Sequence, residues 1–451
     1  MGVLLALIVT VWVGYMILKN YKAQTVLLVG GLVLMGCSVL LGTGAILPAK
    51  QSTGFIWFDL FEFINRTLSS RAAGLGLMIM AVAGFAKYMD HIGASKVLVG
   101  LAVKPLSKLH APYVVLSMGY VLGQVLALFI PSASGLGVLL MVTMFPILVK
   151  LGVSRLSAVA VIGTTQSLDI GPASGNSVLA ATNAGMDVAV YFVQYQIPVI
   201  LCVVATVAVL HFVVQQWFDR KLACDEQAQA EADVQTEALP PKIYALLPVI
   251  PLILILGFSK LLITTVKMDV VTAMLISVAV SMLFEYIRCR DAKKVFGSLQ
   301  VFFDGMGVQF AAVITLIVAG ETFAHGLKTT GAIDSIINAA QSTGLGSEPM
   351  IIVMTAIIAI SAVVMGSGNA PFFAFAALAP GVAQKMAIEP VLMLLPMQFA
   401  SSIARSVSPI TAVIVAVSGI ANVSPVAVVK RTAIPMAGAM IANLLASFIL
   451  L

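Results

Sequence analysis

Four short runs of small polar residues interrupt stretches that are otherwise apolar: Ser132–Gly137, Gly171–Asn176, Gly366–Pro371 and Arg405–Thr411. Serine, threonine and asparagine offer adaptable hydrogen bonds, and glycine lets a ligand approach backbone with no Cβ in the way. A helix starting at such a break presents free N–H groups and about half a positive charge, which suits carboxylates and other anions. A helix ending at one, with its unwound carbonyls, suits Na⁺. The candidate binding residues are therefore Ser132, Ser134 and Gly135 in the first break and Ser174, Gly175 and Asn176 in the second. The third break adds Ser367, Gly368 and Asn369, and the fourth adds Arg405, Ser406, Ser408, Pro409 and Thr411. Small residues also mediate helix packing, so no single break is specific.

Arg405 is the one charge between Glu389 and Lys430. Its planar fork matches a carboxylate with two parallel hydrogen bonds. No acid neighbours it in sequence, which leaves two readings: it meets an anionic substrate, or it pairs with a distant acid such as Asp169. Asp169 and Glu321 are the acids in apolar surroundings, and either is a candidate to carry a coupling proton or bind Na⁺. His91, His110 and His211 fall near the ends of apolar runs and read as packing or interfacial residues. Cys37, Cys202, Cys224 and Cys289 lie far apart, with no CxxC and no zinc-like spacing, so neither a structural metal nor a disulfide is expected. No phosphate loop and no HExxH motif is present, and the histidines are too scattered for a hydrolytic triad. An enzyme is not indicated.

The elements that must position these residues follow from composition. Of 451 residues 60% are hydrophobic and only 10% are charged, against about 25% charged in soluble domains. So few charges cannot cover a soluble surface, which excludes a cytosolic enzyme, a nucleic-acid binder and a disordered chain. Uncharged runs at 1–18, 23–49, 109–149, 188–218, 350–384, 406–429 and 432–451 each suit a membrane helix of about 20 residues. The apolar stretches are continuous and do not alternate, so the fold is all-α and polytopic, and no membrane barrel. Residues 3–18 lack a basic leader and a small-residue cleavage site and read as a retained first span.

The halves repeat. Ser134-Gly135 and Ser367-Gly368 are 233 positions apart, and Gln166, Pro172, Ser174 and Gly185 parallel Gln398, Pro409, Thr411 and Gly419. Separations of 232–238 recur, Ala83-Gly84 with Ala319-Gly320 included. The expected organisation is a first membrane repeat over 1–218, a polar cytoplasmic linker over 219–242 and a second repeat over 243–451. Each repeat is expected to hold ordinary spans at 3–18 and 24–46 or 243–259 and 268–287. A surface piece near 55–70 or 292–304 follows, then a span, and then a second surface piece at 94–108 or 331–342. A long segment broken at its midpoint comes next (112–150 or 348–385), then a broken span (156–186 or 390–421) and a final span. The long broken segments fit re-entrant hairpins, with two full spans and a tight turn as the alternative. With the N-terminus outside and both hairpins returning to their side of entry, 16 lysines and arginines fall on the cytoplasmic side against 7 outside. That bias requires an odd number of crossings per half, so the repeats are inverted and both chain termini are periplasmic.

The stretches SRAAGLGLMIMAVAGFAKYMDHIGAS (70–95), SASGLGVLLMVTMFPILVKLGVSR (132–155), MGSGNAPFFAFAALAP (365–380) and RSVSPITAVIVAVSGIANVSPVAVVKRTAIP (405–435) resemble DcuC-type anaerobic four-carbon dicarboxylate carriers, nearly from end to end. That family lies in the broader ion-transporter superfamily. The resemblance implies a homodimeric elevator carrier in a bacterial inner membrane that exchanges or exports succinate, fumarate or malate. It places hairpin tips on Ser132–Gly135 and Ser367–Asn369, and unwound helices on Ser174–Asn176 and Ser406–Thr411. Sodium-coupled members of the superfamily carry Ser-Asn-Thr tips; Ser-Ala-Ser-Gly and Gly-Ser-Gly-Asn here leave Na⁺ coupling, H⁺ coupling and plain exchange all open. Beyond such a coupling ion no cofactor is implied. The competing readings are a carrier of another small organic anion and a cation/proton antiporter on the same scaffold. The antiporter would be expected to show paired acids at mid-membrane.

Overall fold

A computed structural model describes residues 2–19, 21–221, 239–332, 335 and 346–451. Residues 222–238 of the expected linker, Cys224 among them, and most of the surface piece expected at 331–342 lie outside the described residues. All regular structure among the described residues is helical, and seven helices there are long and apolar enough to cross a membrane. Shorter apolar helices, such as Pro112–Ala127 and Ala412–Ala421, lie between them. Many of the exposed side chains are large and apolar, Leu40, Leu201, Ile253 and Ile441 among them. Such a surface belongs against lipid tails, and the chain is a multi-pass membrane protein.

The expected surface pieces at 55–70 and 292–304 are not separate elements. Each runs without a stop into the following span, giving single helices Ile56–His91 and Ala292–Thr329 of 36 and 38 residues. At 1.5 Å per residue these are roughly 54 and 57 Å long, well beyond the hydrocarbon core. No proline or turn sequence stops the helix at either junction. Instead one turn widens to i→i+5 bonding, at Ala72–Gly76 in the first and Phe310–Ile314 in the second. The two wide turns meet: a Cβ on Gly76 would lie 2.9 Å from Ile314 Cδ1. Past the crossing the backbones approach closely, because a Cβ on Gly305 would lie 2.8 Å from Gly84 Cα.

Helix is interrupted at 128–132, 165–174, 366–368 and 406–411, so each expected run touches a break, but the first contributes only Ser132 to it and enters the next helix at Ala133. Segment 112–150 folds as Pro112–Ala127, Ala133–Thr143 and Phe145–Lys150. Segment 348–385 folds as Ser347–Met365, then Asn369–Phe375 and Ala379–Lys385. The broken spans are Arg155–Thr164 with Gly175–Asn183, and Pro390–Arg405 with Ala412–Ala421. Ser347–Met365 ends on Gly366 with φ +62, where an added Cβ would also strike Ile410 Cγ1 at 2.6 Å. Only glycine turns the chain there.

The final span of the first repeat, expected over 190–217, continues to Lys221, so Asp219 belongs to the helix and does not open the linker. Asp219 is half-buried and pairs with the buried Arg431 of the last helix, Pro425–Leu450. It also accepts from Ser154 Oγ at 2.6 Å, Ser157 Oγ at 2.9 Å and Tyr113 Oη at 3.0 Å. Four elements are tied together around one carboxylate. His211, expected near a helix end, is fully buried, with Nε2 2.9 Å from Thr164 Oγ1. It is an interior packing residue.

Candidate functional site

Each break starts a helix: Ser132 caps an 11-residue helix, Ser174 a 9-residue helix and Thr411 a 10-residue helix, and Gly368 precedes a shorter one. Side-chain hydrogen bonds account for two of the starts. Ser132 Oγ accepts from the Gly135 N–H at 3.2 Å, and Ser367 Oγ accepts from the Ala370 N–H at 3.2 Å. Ser132, Ser174, Ser367, Gly368 and Thr411 all line one cavity of about 470 Å³. Four helix N-termini from distant parts of the chain therefore face a common space, and their partial charges add in favour of an anion.

Arg405 supplies a full charge. It is 7% exposed and lies at the last turn of Pro390–Arg405. The acid that its sequence neighbourhood lacks comes from 236 residues away, since Nη2 meets Asp169 Oδ1 at 2.9 Å and donates to the Gln166 carbonyl at 2.7 Å. Asp169 is held in turn by Asn176 Nδ2 at 2.6 Å and Ser402 Oγ at 2.8 Å. Gln398 donates to the Asp169 carbonyl at 2.7 Å and receives the Tyr191 hydroxyl at 2.7 Å, so the second broken span clamps the first. Among the described residues no acceptor is bonded to Arg405 Nε or Nη1. The guanidinium is oriented by Asp169 through one nitrogen and keeps the others for the cavity. Gly368 makes room for it, because a Cβ there would lie 2.8 Å from Arg405 Cδ.

The cavity thus gathers Ser132, Ser134, Asp169, Ser174, Gly175, Asn176, Ser367, Gly368, Asn369, Arg405 and Thr411. It does not take in Gly135, Ser406, Ser408, Pro409 or Glu321. Ser406 Oγ donates back to the Ser402 carbonyl at 3.2 Å, and Ser408 is fully buried away from the space. Glu321 lines a different cavity, bound to Arg71 at 2.7 Å.

Sequence reasoning missed the wall opposite the breaks. Lys87 and Asp90 of the first long helix and Gln309 of the second also line the cavity. Asp90 is a second acid in the cavity beside Asp169, one that was not among the sequence candidates. Lys87 packs its stem on Gly305, whose Cβ would lie 3.2 Å from Lys87 Cβ, and no ion pair holds its ammonium among the described residues. One signal pointed to it. Lys87 and Arg405 are the two basic residues left over when the others are shared between the two membrane faces.

The chain matches the DcuC family, C4-dicarboxylate anaerobic carriers, over residues 1–451. It is 37% identical over 435 residues to the probable anaerobic C4-dicarboxylate transporter DcuC of Vibrio cholerae, covering 96% of this chain and 94% of that one. The DcuC transporter of Escherichia coli K12 is 37% identical over 433 residues, covering 96% and 93%. Among solved structures, the YdaH transporter of Alcanivorax borkumensis superimposes with a TM-score of 0.62 at 12% identity, over 95% of this chain and 98% of that one. MtrF of Neisseria gonorrhoeae gives 0.55 at 12% identity, over 86% and 83%. These two likenesses concern the fold alone.

Proposed function

The chain belongs to the DcuC family of anaerobic C4-dicarboxylate carriers, and on that premise we propose that it is a secondary carrier exchanging or exporting succinate, fumarate or malate across a bacterial inner membrane. The observation that carries this reading is the convergence of the four helix N-termini and Arg405 on one cavity. Its volume, about 470 Å³, falls within the roughly 300–1,000 Å³ of small-molecule sites. One substrate carboxylate meets the free face of Arg405 and the tip at Ser367–Asn369, and the other meets Lys87 and the Ser132–Ser134 tip. A dianion so placed satisfies an arginine and a lysine that are costly to hold within a membrane.

The same reading takes 1–218 and 243–451 as inverted repeats, with re-entrant hairpins at 112–150 and 348–385. The breaks recur at separations of 232–238 and the wide turns at 238, which supports this. On this reading the chain works as a homodimeric elevator, with a cytoplasmic linker that follows Lys221 and with periplasmic termini. A coupling H⁺ or Na⁺ would be held at Asp169, beside the buried Asn176 Oδ1, which has no partner among the described residues.

Uptake of labelled succinate into proteoliposomes, empty or preloaded with succinate, tests the proposal. Preloading should accelerate uptake, and fumarate and malate should compete. A protein that moves none of the three would refute it.

A further inference from the structure

A second cavity, of about 360 Å³, lies between the other ends of the same two long helices. Its lining repeats that of the first at a single offset. Ala83, Ala86, Lys87 and Asp90 line the first cavity, and adding 238 to each gives Glu321, Ala324, His325 and Lys328, which line the second. The residue before each wide turn follows the same rule: Gln309 lines the first cavity and Arg71, 238 positions earlier, lines the second. Arg71 and Lys87 are 16 residues apart on one helix, so the two cavities are displaced by roughly 24 Å along it. The arm whose tip, Ser367–Asn369, reaches the first cavity has its far end, Ala377–Lys385, in the second.

The charges differ between the two. In the first, Lys87 and Arg405 face Asp90 and Asp169. In the second, Arg71 and Lys328 face one carboxylate among the described residues, Glu321. Glu321 grips Arg71 through Nε at 2.7 Å, and no acceptor is bonded to its two Nη groups among the described residues. His325 stacks on Phe63 at 4.0 Å and is tied by Nε2 to the Ile46 carbonyl at 2.8 Å, which makes it a fixed wall. A concave site with a cationic excess and low-dielectric walls concentrates anions and speeds their entry.

We propose that this second cavity is a vestibule for small dianions, through which dicarboxylates enter or leave on the face opposite the first cavity. Arg71 and Lys328 are its anion-contacting groups, and Glu321 serves to aim Arg71. This rests on the carrier reading above. The two cavities are the two ends of one path, built from the same positions of a repeated element.

The test is succinate transport by wild type, Arg71→Gln, Arg71→Lys and Lys328→Gln in vesicles of both orientations. Each glutamine variant should raise KM about tenfold or more when succinate is supplied on the Lys328 side, and leave KM unchanged from the other side. Arg71→Lys should recover part of the loss. Lys328 is exposed and outside any ion pair among the described residues, so its variant stays informative if Arg71→Gln folds poorly. An equal effect from both sides, or none from either, in an otherwise active carrier overturns the vestibule and spares the carrier reading. A wild-type protein that moves no dicarboxylate overturns both.

Discussion

Arg405 carries two duties that single substitutions confound, because it both neutralises Asp169 and faces the cavity. Arg405→Gln should abolish succinate binding, at a cost of about 2–5 kcal/mol, and also lower Tm by leaving Asp169 unpaired. The double variant Arg405→Gln with Asp169→Asn should regain Tm without regaining binding. Calorimetric titration of succinate alongside thermal melting separates the two; recovered binding in the double variant would show the arginine to be structural only. Lys87 has no such structural partner among the described residues, so Lys87→Gln should weaken succinate binding with Tm unchanged, and equilibrium binding reads this directly.

At the scale of elements, the long helices owe their register to glycine and their continuity to the wide turns. Gly305→Leu would drive a side chain into the Gly84 backbone and the Ala83 carbonyl, 3.2 Å from where its Cβ would stand. The expected loss is about 1–3 kcal/mol or more of stability, since backbone cannot yield as a flexible side chain does. Arg431→Met should cost about 3–5 kcal/mol, because it strands the Asp219 carboxylate inside the protein. Urea or thermal denaturation of the detergent-solubilised variants measures both. The sequence suggested two separate pieces at 55–70 and 72–90, since amphipathic and apolar stretches differ in composition. A helix needs no change of direction where only its surroundings change from headgroup to hydrocarbon.

For the whole molecule, the distribution of lysine and arginine predicts that the end of helix 188–221 lies in the cytoplasm. A cysteine placed at Lys221, with Cys37, Cys202, Cys224 and Cys289 replaced, should resist an impermeant thiol reagent in intact cells and react after permeabilisation. Reaction in intact cells would reverse the orientation of both cavities. The offset of 238 also makes a prediction at this scale. If the repeats are inverted, the same reagent should reach cysteines at Ala86 and Ala324, counterparts in the two cavities, from opposite faces.

The membrane class and the approximate positions of the four breaks were legible from the sequence. Each depends on local composition: which residues tolerate lipid, and which cannot continue a helix. The break residues and Arg405 were legible for the same reason, being polar where everything nearby is apolar. Which distant groups meet is settled by the packing of the helices. Asp169 finds Arg405 across 236 residues, Asp219 turns inward to Arg431, and Lys87 and Asp90 face the breaks while Glu321 does not. Pairings of this kind are fixed by how helices pack against one another, through contacts such as Gly84 on Gly305. A single sequence shows the small residues that permit such an approach, but not which helix face they bring to which.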